Sequence, residues 1–270
     1  MDWNYQEIKL QGILSEFIDC VWWEYYHAEN VGRANHYLVP DRSIELIFTC
    51  GTIERYNAEH KYPIKNKSQL CGIRTKPQVC VLDESPAISV RFYPQNFYRL
   101  CQVNMKETID QSLVPSVVFG SSIVQLERDI LKAKTQNARI QLIEKYFNAY
   151  LESSSKESDP TFEAMVSRIE QSNGTIPISD LSEEFNLSLK TIERKFSNCL
   201  GITAKKYSRL VRFTNHYMNN ERSKGSEGKL DFYDQAHFIK EVKNFTGLAP
   251  ETFNTKEIGI QRISFRKTSY

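Results

Sequence analysis

The hydrophobic positions change rhythm along the chain. In the first 100 residues they come in short runs: Ile44-Glu45-Leu46-Ile47-Phe48, Val79-Cys80-Val81-Leu82 and Ile88-Ser89-Val90-Arg91-Phe92. β-Branched and aromatic residues dominate these runs, and Pro40-Asp41, Cys50-Gly51 and Ser85-Pro86 punctuate them, which predicts a small β-rich domain. The cluster Trp22-Trp23-Glu24-Tyr25-Tyr26 reads as core and strand surface, or else as the lining of a ligand pocket. From residue 123 the spacing shifts toward the helical period. Ile123, Leu126, Ile130 and Leu131 form one stripe and Ile140, Ile143, Phe147 and Leu151 another, predicting two amphipathic helices. Such stripes either pack inside the chain or form a seam between copies. Ser153-Ser154-Ser155-Lys156-Glu157-Ser158-Asp159-Pro160 then holds no apolar residue and ends in proline, as a linker would. The expected organisation is a first domain over 1–152, a linker over 153–160 and a second domain over 161–270.

The second domain repeats itself. A shift of 46 residues lays Ser188 on Asp234, Ile192 on Phe238, Phe196 on Val242, Gly201 on Gly247, Ile202 on Leu248 and Tyr207 on Phe253. Each copy offers an N-cap, two apolar positions four apart, a glycine that can end a helix in the left-handed conformation, and a following aromatic. This is the mark of a duplicated helical unit. Upstream of the first copy, Ser179 is placed to cap a helix over 180–185, Asn186-Leu187 to turn the chain, and Ser188 to cap the next helix, giving a helix-turn-helix. Leu189, Ile192 and Phe196 would face inward. Lys190, Glu193, Arg194 and Ser197 would share the opposite face, at spacings that suit either an ordinary solvated surface or a major groove.

Composition narrows the function classes. The 270 residues are 40% hydrophobic and 25% charged, ordinary values for a globular chain. No apolar run could cross a membrane, and Met1-Asp2-Trp3-Asn4 lacks the basic and apolar regions of a secretory leader, so a cytoplasmic protein is expected. Six cysteines without a CxxC pair read as reduced thiols. The histidines have no metal-binding spacing, and no phosphate loop, nucleophile elbow or dinucleotide fingerprint occurs, so neither an enzyme nor a cofactor is indicated. The net charge of +2 hides an asymmetry: 188–245 carries 12 Lys+Arg against 6 Asp+Glu. A basic segment behind a slightly acidic half suggests a polyanion-binding module.

Residues 175–253 resemble the DNA-binding domain of AraC-type transcription regulators. The resemblance is carried most specifically by Tyr233-Asp234-Gln235-Ala236-His237-Phe238-Ile239-Lys240-Glu241-Val242-Lys243-Asn244-Phe245-Thr246-Gly247-Leu248-Ala249-Pro250, and also by Leu181-Ser182-Glu183-Glu184-Phe185 through Gly201-Ile202-Thr203. Residues 10–151 are similar to the sensor-like domain of one branch of that family, through Val39-Pro40-Asp41 with Ile44–Phe48 and through Val90-Arg91-Phe92-Tyr93-Pro94. The resemblance implies an α+β chain: a small β-rich N-terminal domain with following helices, then an all-α domain with two helix-turn-helix units. It implies double-stranded DNA as partner, a possible small-molecule effector at residues the sequence does not identify, and a homodimer. Base reading would fall to Lys190, Glu193 and Arg194 on the first recognition helix, and to Gln235, Ala236, His237 and Lys240 on the second. Phosphates would be held by Ser188, Lys205, Lys206, Arg209 and Lys243. A helix from Ala204 to about Asn219 would join the two units.

One departure stands out. The stretch facing the first scaffold helix in the repeat is Lys224-Gly225-Ser226-Glu227-Gly228-Lys229-Leu230-Asp231-Phe232, where Leu181 and Phe185 have become Glu227 and Asp231. Two glycines cost about 1 kcal/mol each in a helix, so the second unit is expected to be shortened, with 219–232 lacking a helix of normal length. The alternative to a DNA reader is therefore a ligand-binding or interaction protein that keeps the fold with a degenerate second unit. An alkyl-accepting DNA-repair protein would need a four-cysteine zinc site that the spacing does not supply.

Overall fold

Two antiparallel sheets carry the first part of the computed structural model, which describes residues 4–25, 34–56, 64–66, 68–82, 87–154, 156–222 and 235–249. The strands are β1 (Asn4–Ile8), β2 (Ile18–Tyr25), β3 (Ala34–Leu38), β4 (Ile44–Phe48), β5 (Ile53–Tyr56), β6 (Ile64–Asn66), β7 (Gln69–Cys71), β8 (Gln78–Leu82), β9 (Ile88–Phe92) and β10 (Ser112–Leu113). One sheet runs β1-β2-β9-β4-β7-β10 and the other β3-β8-β5-β6. The runs at 44–48 and 88–92 form strands with the expected ends, and the third begins one residue early, at Gln78.

Strand alternation divides the larger sheet into two unlike faces. Val21, Val90, Leu46 and Leu70 stand in register across four strands and point to one face; Trp22, Ser89, Ile47 and Gln69, one residue along, point to the other. The first face packs under α1 (Pro94–Phe97), α2 (Pro115–Phe119), α3 (Ile123–Lys132) and α4 (Gln136–Ser154). Phe92, Phe97, Phe119 and Phe147 interlock there with ring centroids 5.1 to 6.1 Å apart. Both tryptophans of the 22–26 cluster are buried.

The stripes on α3 and α4 are spent inside the chain. Ile123, Leu126, Ile130, Ile143 and Phe147 are buried in the core that also holds Val90 and Phe92, with Ile140 and Leu151 packed against it. These side chains are thus not free to form a seam between copies.

The serine-rich segment is tied down at many points. α4 continues to Ser154 and α5 (Pro160–Gln171) starts at the proline. Between them, Lys156 donates its backbone N–H to the Arg99 carbonyl at 2.9 Å and its Nζ to the Cys101 carbonyl at 2.6 Å. Arg99 Nε returns a bond to the Lys156 carbonyl at 3.1 Å, and the Asp159 amide donates to Tyr98 Oη at 2.7 Å. Asp159 also caps α5, accepting from Phe162 N at 3.0 Å. A segment without apolar side chains still has backbone groups to satisfy, and here the N-terminal half satisfies them.

The rest is helical: α6 (Ile178–Glu184), α7 (Leu189–Cys199), α8 (Ala204–Arg222) and α9 (Gln235–Thr246). The chain is therefore α+β in the expected order. Its core runs from Leu10 to Phe245 as one contiguous cluster across both halves. No helix of the described residues is long and apolar enough to cross a membrane. All six cysteines are free, and only Cys50 is exposed.

Candidate nucleic-acid interface

The turn between α6 and α7 is closed by the backbone. Pro177, not Ser179, stands at the N-cap of α6: its fixed φ of −62° suits the extended entry, and Leu181 N donates to its carbonyl at 3.2 Å. Ser179 lies inside the helix with its hydroxyl on Asp180 Oδ1 at 3.1 Å, a correction to the expected cap. Asn186 then takes φ +49°, a left-handed conformation that asparagine tolerates, and Leu187 N reaches the Ser182 carbonyl at 3.0 Å. Ser188 caps α7 as its position suggests, its Oγ accepting from Thr191 N at 3.1 Å. Gly201 at φ +75° ends the helix, and Gly247 at φ +69° ends α9 in the matching place of the repeat.

α7 is anchored along one side only. Ile192, Phe196 and Cys199 are buried, and the Phe196 ring sits 5.2 Å from Phe162 and 6.0 Å from Tyr207. Leu189, whose spacing placed it with these residues, is 52% exposed instead. It belongs to the first turn, which projects past the core with the exposed Lys190; Arg194, one turn on, is exposed as well. An exposed leucine beside two cations offers apolar contact for a thymine methyl group. The sequence pattern hides it because its spacing is that of the buried stripe.

The remaining expected readers differ in what they already hold. Glu193 is half-buried, and one carboxylate oxygen accepts from Ala204 N at 3.2 Å, which caps α8 together with Thr203. Arg209 is bound by both carboxylate oxygens of Glu241 on α9, at 3.0 and 2.7 Å, and its guanidinium lies 5.6 Å over the Phe245 ring. It joins α8 to α9, assisted by Phe213 stacked on Phe245 at 4.8 Å. Lys195 is paired with Asp159. Lys205, Lys240 and Lys243 are exposed and Lys206 is half-buried. Ile239, at 43% exposed, shares the outer surface of α9 with Lys240 and Lys243.

Gln235, Ala236 and His237 fall in the first turn of α9, and their side chains lie outside the described residues. The joining helix α8 extends to Arg222, three residues beyond the expected end. Of the stretch 219–232, expected to lack a helix of normal length, 219–222 belong to the end of α8 and the remainder lies outside the described residues.

Residues 6–114 match the family model of a domain of unknown function (DUF6597), a span that nearly coincides with β1 through β10. No curated protein matches the chain. Among solved structures, ToxT from Vibrio cholerae is similar at 10% identity, covering 93% of this chain and 97% of that one with a TM-score of 0.44. A structure of ToxT from Vibrio cholerae O395 is similar at 10% identity over 82% of this chain and 96% of that one, with a TM-score of 0.39.

Proposed function

We propose that the chain is a sequence-specific DNA-binding transcription regulator of the AraC type its C-terminal sequence resembles. In this reading 161–270 reads the major groove, and 1–152 senses a small molecule or forms the dimer. The observation that carries the proposal is the N-terminal half of α7. It is capped by Ser188, held from behind by Ile192, Phe196 and Cys199, and leaves Leu189, Lys190 and Arg194 facing outward. Arg194 and Lys190 suit guanine O6 and N7, Leu189 a thymine methyl, and the uncommitted oxygen of Glu193 a cytosine amino group. Lys240, with Gln235, Ala236 and His237 of the same helix, would form the second reading surface. Lys205, Lys206, Lys243 and the α7 N-terminus at Ser188 would hold phosphates. Arg209 positions α9 through Glu241, and a phosphate role for it would require breaking that pair.

A homodimer matching paired half-sites completes the proposal, its contact surface lying elsewhere than the buried stripes of α3 and α4. A second reading, an interaction protein that no longer binds DNA, draws support from Arg209 and Lys195 being neutralised by Glu241 and Asp159. Selection of bound sequences from random duplexes by the full chain separates the two. Enrichment of one motif, with affinity falling on the order of 10³-fold between 50 and 200 mM salt for about six phosphate contacts, supports the regulator. Recovery of unenriched sequence supports the second reading.

A further inference from the structure

Arg42, from the N-terminal half, reaches the helix that joins the two recognition units. It sits in the connection 39–43, where the chain leaves β3 of the smaller sheet and enters β4 of the larger. The two sheets pack there through Leu38, Ile53 and Cys80 against Ile47 and Cys71. Its neighbour Asp41 makes the connection a firm mount. Asp41 and Arg74 exchange backbone hydrogen bonds at 3.1 and 3.0 Å, their side chains form a buried ion pair, and Asp41 Oδ1 accepts from Ser43 N at 2.9 Å.

From that mount Arg42 Nη1 donates to Thr214 Oγ1 on α8 at 3.1 Å, and Nε pairs with Glu170 Oε1 on α5 at 3.2 Å. The same Glu170 oxygen accepts from Tyr207 Oη, also on α8, at 2.5 Å. Tyr207 and Thr214 are seven residues apart on one side of the helix, with the buried Leu210 and Val211 between them. One guanidinium thus grips α8 at two points, two turns apart. α7 leans on the first point, its Phe196 ring 6.0 Å from Tyr207, and α9 on the second, where Phe213 stacks on Phe245 at 4.8 Å. α7 also meets the N-terminal half directly, where Gly201 lies on the Met105 carbonyl. The Arg42 and Glu170 side chains are 15% and 7% exposed. An ion pair so buried recovers little beyond its desolvation cost, and apolar packing of similar volume would stabilise the fold as well. What the guanidinium adds is direction, because its planar fork fixes the angle between the groups it joins.

We propose that Arg42 is a positioning residue for DNA reading: it sets α8 against the N-terminal half, and with it the angle between the reading surfaces of α7 and α9. The role in reading rests on the function proposed above; the placement of the helices does not.

Pulsed dipolar spectroscopy of the full chain, with nitroxide labels at Asn198→Cys and Asn244→Cys in a Cys50→Ser background, tests the placement without DNA. The two asparagines are exposed, stand in matching places of the repeat on α7 and α9, and the five remaining cysteines are buried. The expected result is one narrow distance in the parent and a displaced or broadened one in Arg42→Met/Glu170→Gln. This double variant removes both charges, keeps an acceptor for Tyr207, and should melt within a few degrees of the parent. Arg42→Lys, which keeps the charge without the fork, should restore the distance only in part. Thr214→Val, which leaves the Glu170 pair in place, should shift it less and carries the comparison if the double variant does not fold. On a duplex selected by the parent, the double variant should bind roughly 2- to 30-fold more weakly with an unchanged salt slope, since Arg42 faces α8 and not a phosphate. An unmoved label distance in these variants would overturn the proposal, and a lowered melting temperature beside it would mark a merely structural pair. A reduced salt slope would place Arg42 on DNA instead. If the parent binds no duplex, the reading role falls with the function it rests on, and the label distances alone decide the placement.

Discussion

Gly201→Ala should be among the most damaging single-methyl changes in the chain. At φ +75° any side chain meets the left-handed penalty of about 1–2 kcal/mol. The added Cβ would also fall 2.5 Å from the Met105 carbonyl oxygen, 2.7 Å from its carbon and 2.9 Å from Ile109 Cγ1. The nearest two of those atoms are backbone, so relief requires the end of α7 to lift off the 3-10 turn Met105–Thr108. Overpacking of this kind costs roughly 1–3 kcal/mol, for a total of about 2–5 kcal/mol. Gly12 supplies the control: its φ is +65°, but nothing lies within 4 Å of the place a Cβ would take, so Gly12→Ala meets the conformational penalty alone. Urea unfolding of the full chain, followed by far-ultraviolet circular dichroism, measures both. The expected gap is about 1–3 kcal/mol, or a few degrees in Tm at this length. Equal losses from the two alanines would refute the close approach of α7 to Met105. A loss under about 1 kcal/mol at Gly201 would refute the strain as well.

Other expectations can be checked on the same protein. Arg194→Ala should relax preference at one base position at a cost of about 1–3 kcal/mol, whereas Lys206→Ala should weaken all duplexes alike; uniform loss from both would erase the distinction between reader and phosphate clamp. Arg209→Ala should raise amide exchange in α9 and lower DNA affinity while leaving the salt slope unchanged; a slope reduced by about one would instead place Arg209 on a phosphate. Burial pushes the Cys20 and Cys199 thiols up to about 12, while Cys50 is exposed. At pH 8 only on the order of one in 10⁴ of such buried thiols is ionised, so iodoacetamide should label Cys50 first, with labelling of the other two rising only as pH approaches their pKa. Early modification of Cys199 would mean that the α7 anchor opens in the native protein.

Where periodicity and burial agree, the sequence is a good guide. The β-branched runs at 44–48 and 88–92 become strands, and the apolar stripes at 123–131 and 140–151, legible as helices with two possible uses, take the intramolecular one. Ser188 and Gly201 are legible for a different reason, since few residue types serve as a helix cap or a left-handed terminus. What stays hidden depends on a partner distant in sequence. Glu45 and Arg91 look like solvent-facing positions in alternating strands, and only the second sheet covering that face makes them a buried pair. Arg209 looks like a phosphate contact until Glu241, 32 residues on, closes around it. Leu189 fits the inward spacing of its helix, but among the described residues its side chain is left half exposed. The 153–160 segment has a linker's composition, and no local pattern shows that the Tyr98–Cys101 backbone and hydroxyl will hold it.

The way the two halves meet bears on how such a chain can diverge. Phe162 stands edge-on to Tyr98 with ring centroids 5.9 Å apart, Arg42 reaches across to Glu170 at 3.2 Å and to Thr214 at 3.1 Å, and Gly201 lies on the Met105 carbonyl. Grafting 161–270 onto a foreign sensor would expose Phe162, take Arg42 away from Glu170 and remove the surface against which α7 is set. A recombinant of that kind should be recovered in inclusion bodies, unlike an exchange of modules joined by a free tether. Substitutions at Tyr98, Met105 or Ile109 would be tolerated only alongside changes in α5 and at the end of α7, so each half constrains the sequence of the other.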